Sequence, residues 1–309
     1  MRHIPGTRKT AAGSFIIGVS LLAAVAACSP PAFSADREPR VKISLLADCD
    51  SIVPGEKFRL GLLFEIADGW HIYWRNPGDA GLQPVIDWKL PEGFSMEPLQ
   101  WPVPVRLEES GELYVNAYKD EILLYAWVHP PAGLAVSRAD FRAGAVWLVC
   151  RSVCVQEGDT ARLSLPVGSS GAKAGKSSGL FDRYARLVPR GVEDYPFLSL
   201  DAGWVESPGI DSRTRVAGIS LECLSEGLRF LTGKADVQWF GDPSDLLYSD
   251  ELEQESGPES PEKLALKLPV RTVEVPESWP QAWGGVLTVK MSRAPGDTLT
   301  FALTLRFTD

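Results

Sequence analysis

Residues 57–75 read KFRLGLLFEIADGWHIYWR, and this stretch decides the fold. Apolar and polar positions alternate with a period of two in KFRLGLLFEI (57–66) and again in GWHIYWR (69–75), the pattern of half-buried strands. Outward from there the alternation returns in VKISLLA (41–47), EILLYAWV (121–128), FRAGAVWLV (141–149) and TARLSLPV (160–167). Turn signals lie between them: Val53-Pro54-Gly55, Asn76-Pro77-Gly78-Asp79 and Pro130-Pro131-Ala132-Gly133. Short strands at this spacing, without helical crossovers, predict an all-β chain whose first domain, residues 36–168, is an antiparallel β-sandwich.

The small-residue stretch GSSGAKAGKSS (168–178) reads as a linker, and LFDRYARLVPR after it as a short helix. Leu180, Tyr184, Leu187 and Val188 fall at helical spacing there, and Pro189 closes the segment. A second β-rich domain over 190–309 follows from TRVAGISLECL (214–224), ADVQWF (235–240), KLALKLPV (263–270), GGVLTVKM (284–291) and TLTFALTLRF (298–307). The acidic stretch SDELEQESGPESPEK (249–263) within it reads as a solvated loop.

The chain has 309 residues, enough for about two domains. Its 45% hydrophobic and 23% charged residues are ordinary for a globular protein and exclude a disordered or collagen-like chain. With 24 Pro, 28 Gly and 10 Trp against 3 His and 3 Met, the composition suits a turn-rich β protein, and it speaks against histidine-based zinc catalysis. A net charge of −9 leaves no basic face for nucleic acid.

Arg2, Arg8 and Lys9 precede AAGSFIIGVSLLAAVAA (11–27), which predicts a signal peptide over 1–27 and export to the periplasm. The uncharged run is marginal as a membrane span. Val25-Ala26-Ala27-Cys28 has the form of a lipobox that would acylate Cys28, and Ala32-Phe33-Ser34 offers an ordinary cleavage site instead. Loss of residues 1–27 removes three positive charges and no negative ones, taking the net charge from −9 to −12.

Four cysteines remain, and in an exported chain they are expected to be paired or redox-active. Cys150 and Cys154 lie in WLVCRSVCV. On a continuous strand they would stand about 13 Å apart, whereas a disulfide needs Cα atoms within about 7 Å. To pair them the chain must turn at Arg151-Ser152-Val153. Closing about five residues stabilises by only about 2 kcal/mol, against about 3 for fifteen, so such a bridge is a modest staple. It is also suited to exchange, and Arg151 beside Cys150 would favour a thiolate. Redox pair, structural staple and metal ligand all stay open on spacing alone.

The segments GWHIYWRNPGDAGLQPVIDWKLPEGF (69–94), LQWPVPVR (99–106) and VWLVCRSVC (146–154), in that order, resemble the periplasmic N-terminal domain of the DsbD/ScsB thiol:disulfide interchange family, the ScsB-like branch most closely. The resemblance covers 41–167 well and the second domain more loosely. It implies an immunoglobulin-like sandwich with Cys150 and Cys154 as the redox pair, Cys154 forming the mixed disulfide and Cys150 resolving it. It also implies a cap near Gly111-Glu112-Leu113-Tyr114 beside an aromatic segment Trp70-His71-Ile72-Tyr73. The membrane and thioredoxin-like domains of full-length members are absent from these residues. The expected electron donor is therefore a separately encoded membrane-embedded thiol protein, and the expected clients are periplasmic proteins with disulfides. No organic cofactor and no metal are called for, and a monomer is expected.

Cys49 and Cys223 stand outside that motif; with one in each half they could form an interdomain bridge or remain free. A different class of function is a copper-handling module in which the two thiolates, with His71, hold Cu(I); a further one is a non-catalytic docking sandwich. The bland readings of the remaining residues are structural. Trp70, Trp74, Trp88, Trp101 and Trp147 read as packing, His129 as a strand end, and Arg75 and Asp79 as fixing a turn. Glu108 and Glu109 do not form a carboxylate pair, because neighbours on a strand face opposite ways.

Overall fold

The computed structural model describes residues 39–308 apart from 110, 112, 169–173, 207–210, 232–235, 245, 255–261, 274–278, 281 and 295–296. The signal segment with Cys28, the cap residue Glu112, part of the linker and the middle of the acidic stretch lie outside the described residues.

Ten strands form the first half: β1 (Val41–Ala47), β2 (Phe58–Ile66), β3 (His71–Gly78), β4 (Val85–Lys89), β5 (Ser95–Met96), β6 (Val105–Glu109), β7 (Leu113–Tyr118), β8 (Glu121–His129), β9 (Arg138–Cys150) and β10 (Cys154–Pro166). They make two antiparallel sheets, ordered β1-β2-β8-β5 and β10-β9-β3-β7-β6, with β4 also paired to β9. The period-two reading holds along β9, where Phe141, Ala143, Ala145, Trp147 and Val149 are buried in the core between the sheets. Phe64 from the facing sheet meets Trp147 edge-on at 5.5 Å, a contact worth about 0.5–1.5 kcal/mol beyond the area it buries. Trp74 is also fully buried, while Trp70, Trp88 and Trp101 pack partly buried against this core. These sheets are the expected immunoglobulin-like sandwich.

The predicted helix is α1 (Ser178–Ala185), which begins and ends earlier than the spacing suggests. Phe181 and Tyr184 are its buried residues, and Leu187 lies beyond it, 48% exposed. Phe181 is held by Tyr125 at 5.7 Å and by the Arg59 guanidinium at 5.4 Å from its ring.

The second half contains β11 (Leu198–Val205), β12 (Thr214–Cys223), β13 (Arg229–Phe230), β14 (Val237–Gly241), β15 (Leu247–Ser249), β16 (Glu253–Gln254), β17 (Lys263–Thr272), β18 (Ala282–Ala294) and β19 (Asp297–Thr308). They form sheets ordered β11-β12-β17-β15 and β13-β18-β14, with β16 on β17 and β19 on β18, around their own core. Part of the acidic stretch is thus strand rather than loop, since Glu253 and Gln254 pair with Lys267 and Leu266.

The two halves meet through directional bonds from β3 and β6. Arg75 donates to Asp242 at 2.6 Å, the Asn76 amide to the Gly241 carbonyl at 2.8 Å, and Arg106 to the Trp239 carbonyl at 2.6 Å. Arg75 therefore joins the halves rather than fixing a turn, whereas Asp79 does shape the turn by accepting the Tyr114 backbone N–H at 2.8 Å.

Candidate redox site

Alternation builds the site as well as the core. On β3, Ile72 and Trp74 enter the main core, so His71 and Tyr73 face the other side of the sheet. There Tyr73 joins Cys150, Val115 and Ala117 in a small buried cluster, with Leu107, Leu148 and Ala80 packed against it. Register places His71 opposite Cys150 on one side and Cys154 opposite Cys150 on the other. The three residues form a row across β3, β9 and β10.

Cys150 and Cys154 form a disulfide with Cα atoms 4.1 Å apart. The required turn is present: the Arg151 N–H donates to the Val153 carbonyl at 3.1 Å, and β10 runs back along β9. The two sulfurs differ sharply in access. Cys150 is 1% exposed, whereas Cys154 lies in an exposed run of residues, 151–154. Attack on, or by, this pair must therefore pass through Cys154.

Tyr73 is fully buried and its hydroxyl lies 3.8 Å from Cys154 Sγ. The same hydroxyl donates to Glu109 Oε1 at 3.2 Å, and His71 Nε2 meets that oxygen at 2.8 Å. The His71 and Tyr73 rings are edge-to-face at 5.3 Å. Burial lowers the affinity of His71 for a proton below its ordinary pKa of 6.5, overriding the opposing pull of Glu109. Burial, with the Glu109 charge, drives the Tyr73 hydroxyl far above its ordinary value.

A strap closes the buried side. Gly81, at φ +97°, lies on the Tyr73 ring so closely that a Cβ there would come within 2.2 Å of it. The hairpin β6–β7 carries the expected cap position. Its residues Leu113 and Tyr114 are 39% and 44% exposed, and Tyr114 lines a cleft of about 570 Å³ shared with Arg106, Trp239 and Trp283. Among the described residues of this hairpin, Val115, Ala117 and Leu107 pack around Cys150, and Glu109 approaches Cys154 through the Tyr73 hydroxyl. Sequence reasoning set Glu109 aside as one of two acidic neighbours. The usable signal was alternation itself, which puts Glu109 on the face of Leu107 and Glu108 on the other.

Arg151 lays its guanidinium over the Trp70 ring at 5.0 Å, and Arg40 sits over the same ring at 4.7 Å. Its charge is thus directed to an aromatic face. His129 bonds Glu97 at 2.7 Å at the end of β8. Of the two alternatives for Cys49 and Cys223, the free one holds: both are buried free thiols, and each packs in a different core. Cys223 bonds the Ser225 carbonyl at 3.5 Å, and burial with Asp48 and Asp50 pushes the Cys49 thiol up to about 12. Among the described residues no group of three potential ligands could hold a metal ion, and no helix is long and apolar enough to cross a membrane.

Residues 45–165 match the family described as thiol:disulfide interchange protein DsbD, N-terminal. The N-terminal periplasmic domain of ScsB from Proteus mirabilis is similar in structure, at 16% identity over 87% of this chain and 94% of that one, with a TM-score of 0.54. At that identity the likeness is one of fold, and it extends past the family match into the second pair of sheets. The Neisseria meningitidis DsbD N-terminal domain in its reduced form also matches, at 16% identity over 43% of this chain and 90% of that one, with a TM-score of 0.22. No curated protein sequence matches.

Proposed function

We propose that this chain is a periplasmic thiol:disulfide interchange protein whose working pair is Cys150 and Cys154, a reading supported by the match of residues 45–165 to the DsbD N-terminal family. The observation that carries this reading is the asymmetry of the pair: one sulfur exposed on β10, its partner buried behind it on β9. In the reduced protein the Cys154 thiolate attacks a client disulfide. The Cys154–client bond forms, the client bond breaks, and the leaving client sulfur takes a proton. The Cys150 thiolate then attacks Cys154 Sγ, restoring the Cys150–Cys154 bond and releasing the second client thiol. Two electrons and two protons have passed to the client. A separate dithiol protein, held in the membrane, returns them by the reverse sequence through Cys154.

The test is trapping. The Cys150→Ser chain, reduced and mixed with a disulfide-bonded client, should accumulate a mixed disulfide at Cys154, because the resolving sulfur is gone. The Cys154→Ser chain should trap nothing and should lose client reduction. Unchanged reduction by Cys154→Ser would remove the reading.

A further inference from the structure

The Tyr73 hydroxyl has one proton and two neighbours that could receive it. Glu109 Oε1 lies at 3.2 Å and Cys154 Sγ at 3.8 Å. A carboxylate is the stronger acceptor, so the proton lies on the Glu109 side. Tyr73 then presents only an oxygen lone pair to Cys154. Toward a reduced Cys154 that oxygen can accept an S–H bond, but it can offer nothing to a thiolate. Neither ring of the His71–Tyr73 pair is free to turn away. Tyr73 is fully buried beneath Gly81, and His71, 6% exposed, is held by the same carboxylate oxygen.

We propose that Glu109 is a positioning residue for the exchange reaction: by claiming the single proton of Tyr73 it holds the reduced Cys154 as a thiol, until neutralisation of that carboxylate turns the Tyr73 proton toward the sulfur. The inference rests on the exchange reading above. It goes further by assigning to a residue outside the cysteine pair the control of when that pair attacks. Among the described residues, the groups facing the carboxylate are Tyr73 and His71 from β3, with Cys154 beyond Tyr73 on β10. Lys119, at the end of β7, acts on His71. Glu109 keeps 21% of its side chain exposed, so a docking partner's cation or a solvent proton can reach it, whereas Tyr73 is closed off. His71, neutral when buried, becomes the cationic partner of Glu109 as the pH falls and lessens its claim on the Tyr73 proton.

The experiment follows alkylation of Cys154 by iodoacetamide across pH in the full chain carrying Cys150→Ser, read on the Cys154 peptide by mass. Glu109→Gln keeps the shape and leaves a neutral acceptor, so the Tyr73 proton goes to the sulfur anion instead. The expected result is an alkylation rate at pH 7 raised about tenfold, with the midpoint of the profile lowered by about one pH unit. Adding Tyr73→Phe to Glu109→Gln should abolish the gain, since the gain is delivered by that hydroxyl. Loss of a merely structural contact would not speed the reaction. No gain in Glu109→Gln overturns the inference, as does a gain that survives Tyr73→Phe, because the carboxylate would then act by charge alone. If Cys150→Ser does not fold, the same peptide readout on the reduced native chain serves, Cys150 being buried. A Cys154 inert to alkylation and to disulfides in every background would overturn the exchange reading itself, a distinct outcome from a reactive Cys154 indifferent to Glu109.

Discussion

Replacing Gly81 by Ala should loosen the strap over Tyr73, and the cost can be worked from the geometry. Gly81 adopts φ +97°, a conformation that costs an L-residue about 1–2 kcal/mol. The added Cβ would stand 2.2–2.5 Å from three atoms of the Tyr73 ring, so ring and strap must part by about 1 Å. The ring cannot supply that movement, being packed among Val115, Ala117 and Cys150 with its hydroxyl tied to Glu109. The strap must lift, and wetting about 50 Å² of ring face costs about 1 kcal/mol more. Urea unfolding should therefore show a loss of about 2–3 kcal/mol. Reduction of the Cys150–Cys154 bond by a dithiol under native conditions should accelerate several-fold, since Cys150 shares that cluster. A Gly81→Ala chain within about 0.5 kcal/mol of the native one, reduced at the native rate, would show that Gly81 does not hold the Tyr73 ring in place.

Two further outcomes follow from the same site. Reduction of Cys150–Cys154 releases a loop of about five residues and should cost only about 2 kcal/mol, so the chain stays folded in dithiol; urea titration of the reduced protein checks this, and cooperative unfolding on reduction would contradict it. His71 has a folded-state affinity for protons below its ordinary value. The unfolded chain therefore binds a proton first as pH falls, and stability drops from about pH 6.5 downward, fully lost to this group once pH passes the folded value. The urea midpoint of His71→Gln, compared with native across pH 7.5 to 5, should lack that component; parallel curves would show that His71 is not the group responsible.

β9 and β17 alternate cleanly and were legible because one face of each is buried, whereas β1, β2, β8 and β19 alternate only in part, with residues 60–62 and 122–126 buried without a break. β4 and β6 were not legible. Their patterns, VIDWK and VRLEE, bury little, and their place is set by pairing with β9 and β7. The turn signal Asn76-Pro77-Gly78-Asp79 marks an irregular stretch where β3 pairs with β7, with Gly78 at φ +88° and the Asp79 N–H bonded to the Tyr114 carbonyl. In the site, the cysteine spacing announced a turn, and the family resemblance assigned the pair. Glu109 stayed hidden because its partners, His71 and Tyr73, lie more than thirty residues away in sequence and meet it only through the register of β3, β7 and β6. For Cys49 and Cys223 the sequence left a bridge and two free thiols open, and the two separate cores that hold them decide for free thiols.

The reduction potential of Cys150–Cys154 separates an exchanging pair from a structural one. The full chain is equilibrated in dithiol or glutathione buffers and its free thiols counted by alkylation and mass, against a background carrying Cys49→Ser and Cys223→Ser. A potential of roughly −180 to −270 mV is expected, the range of proteins that pass electrons by thiol exchange. A value below about −300 mV would make the pair a structural staple instead of an exchanging one.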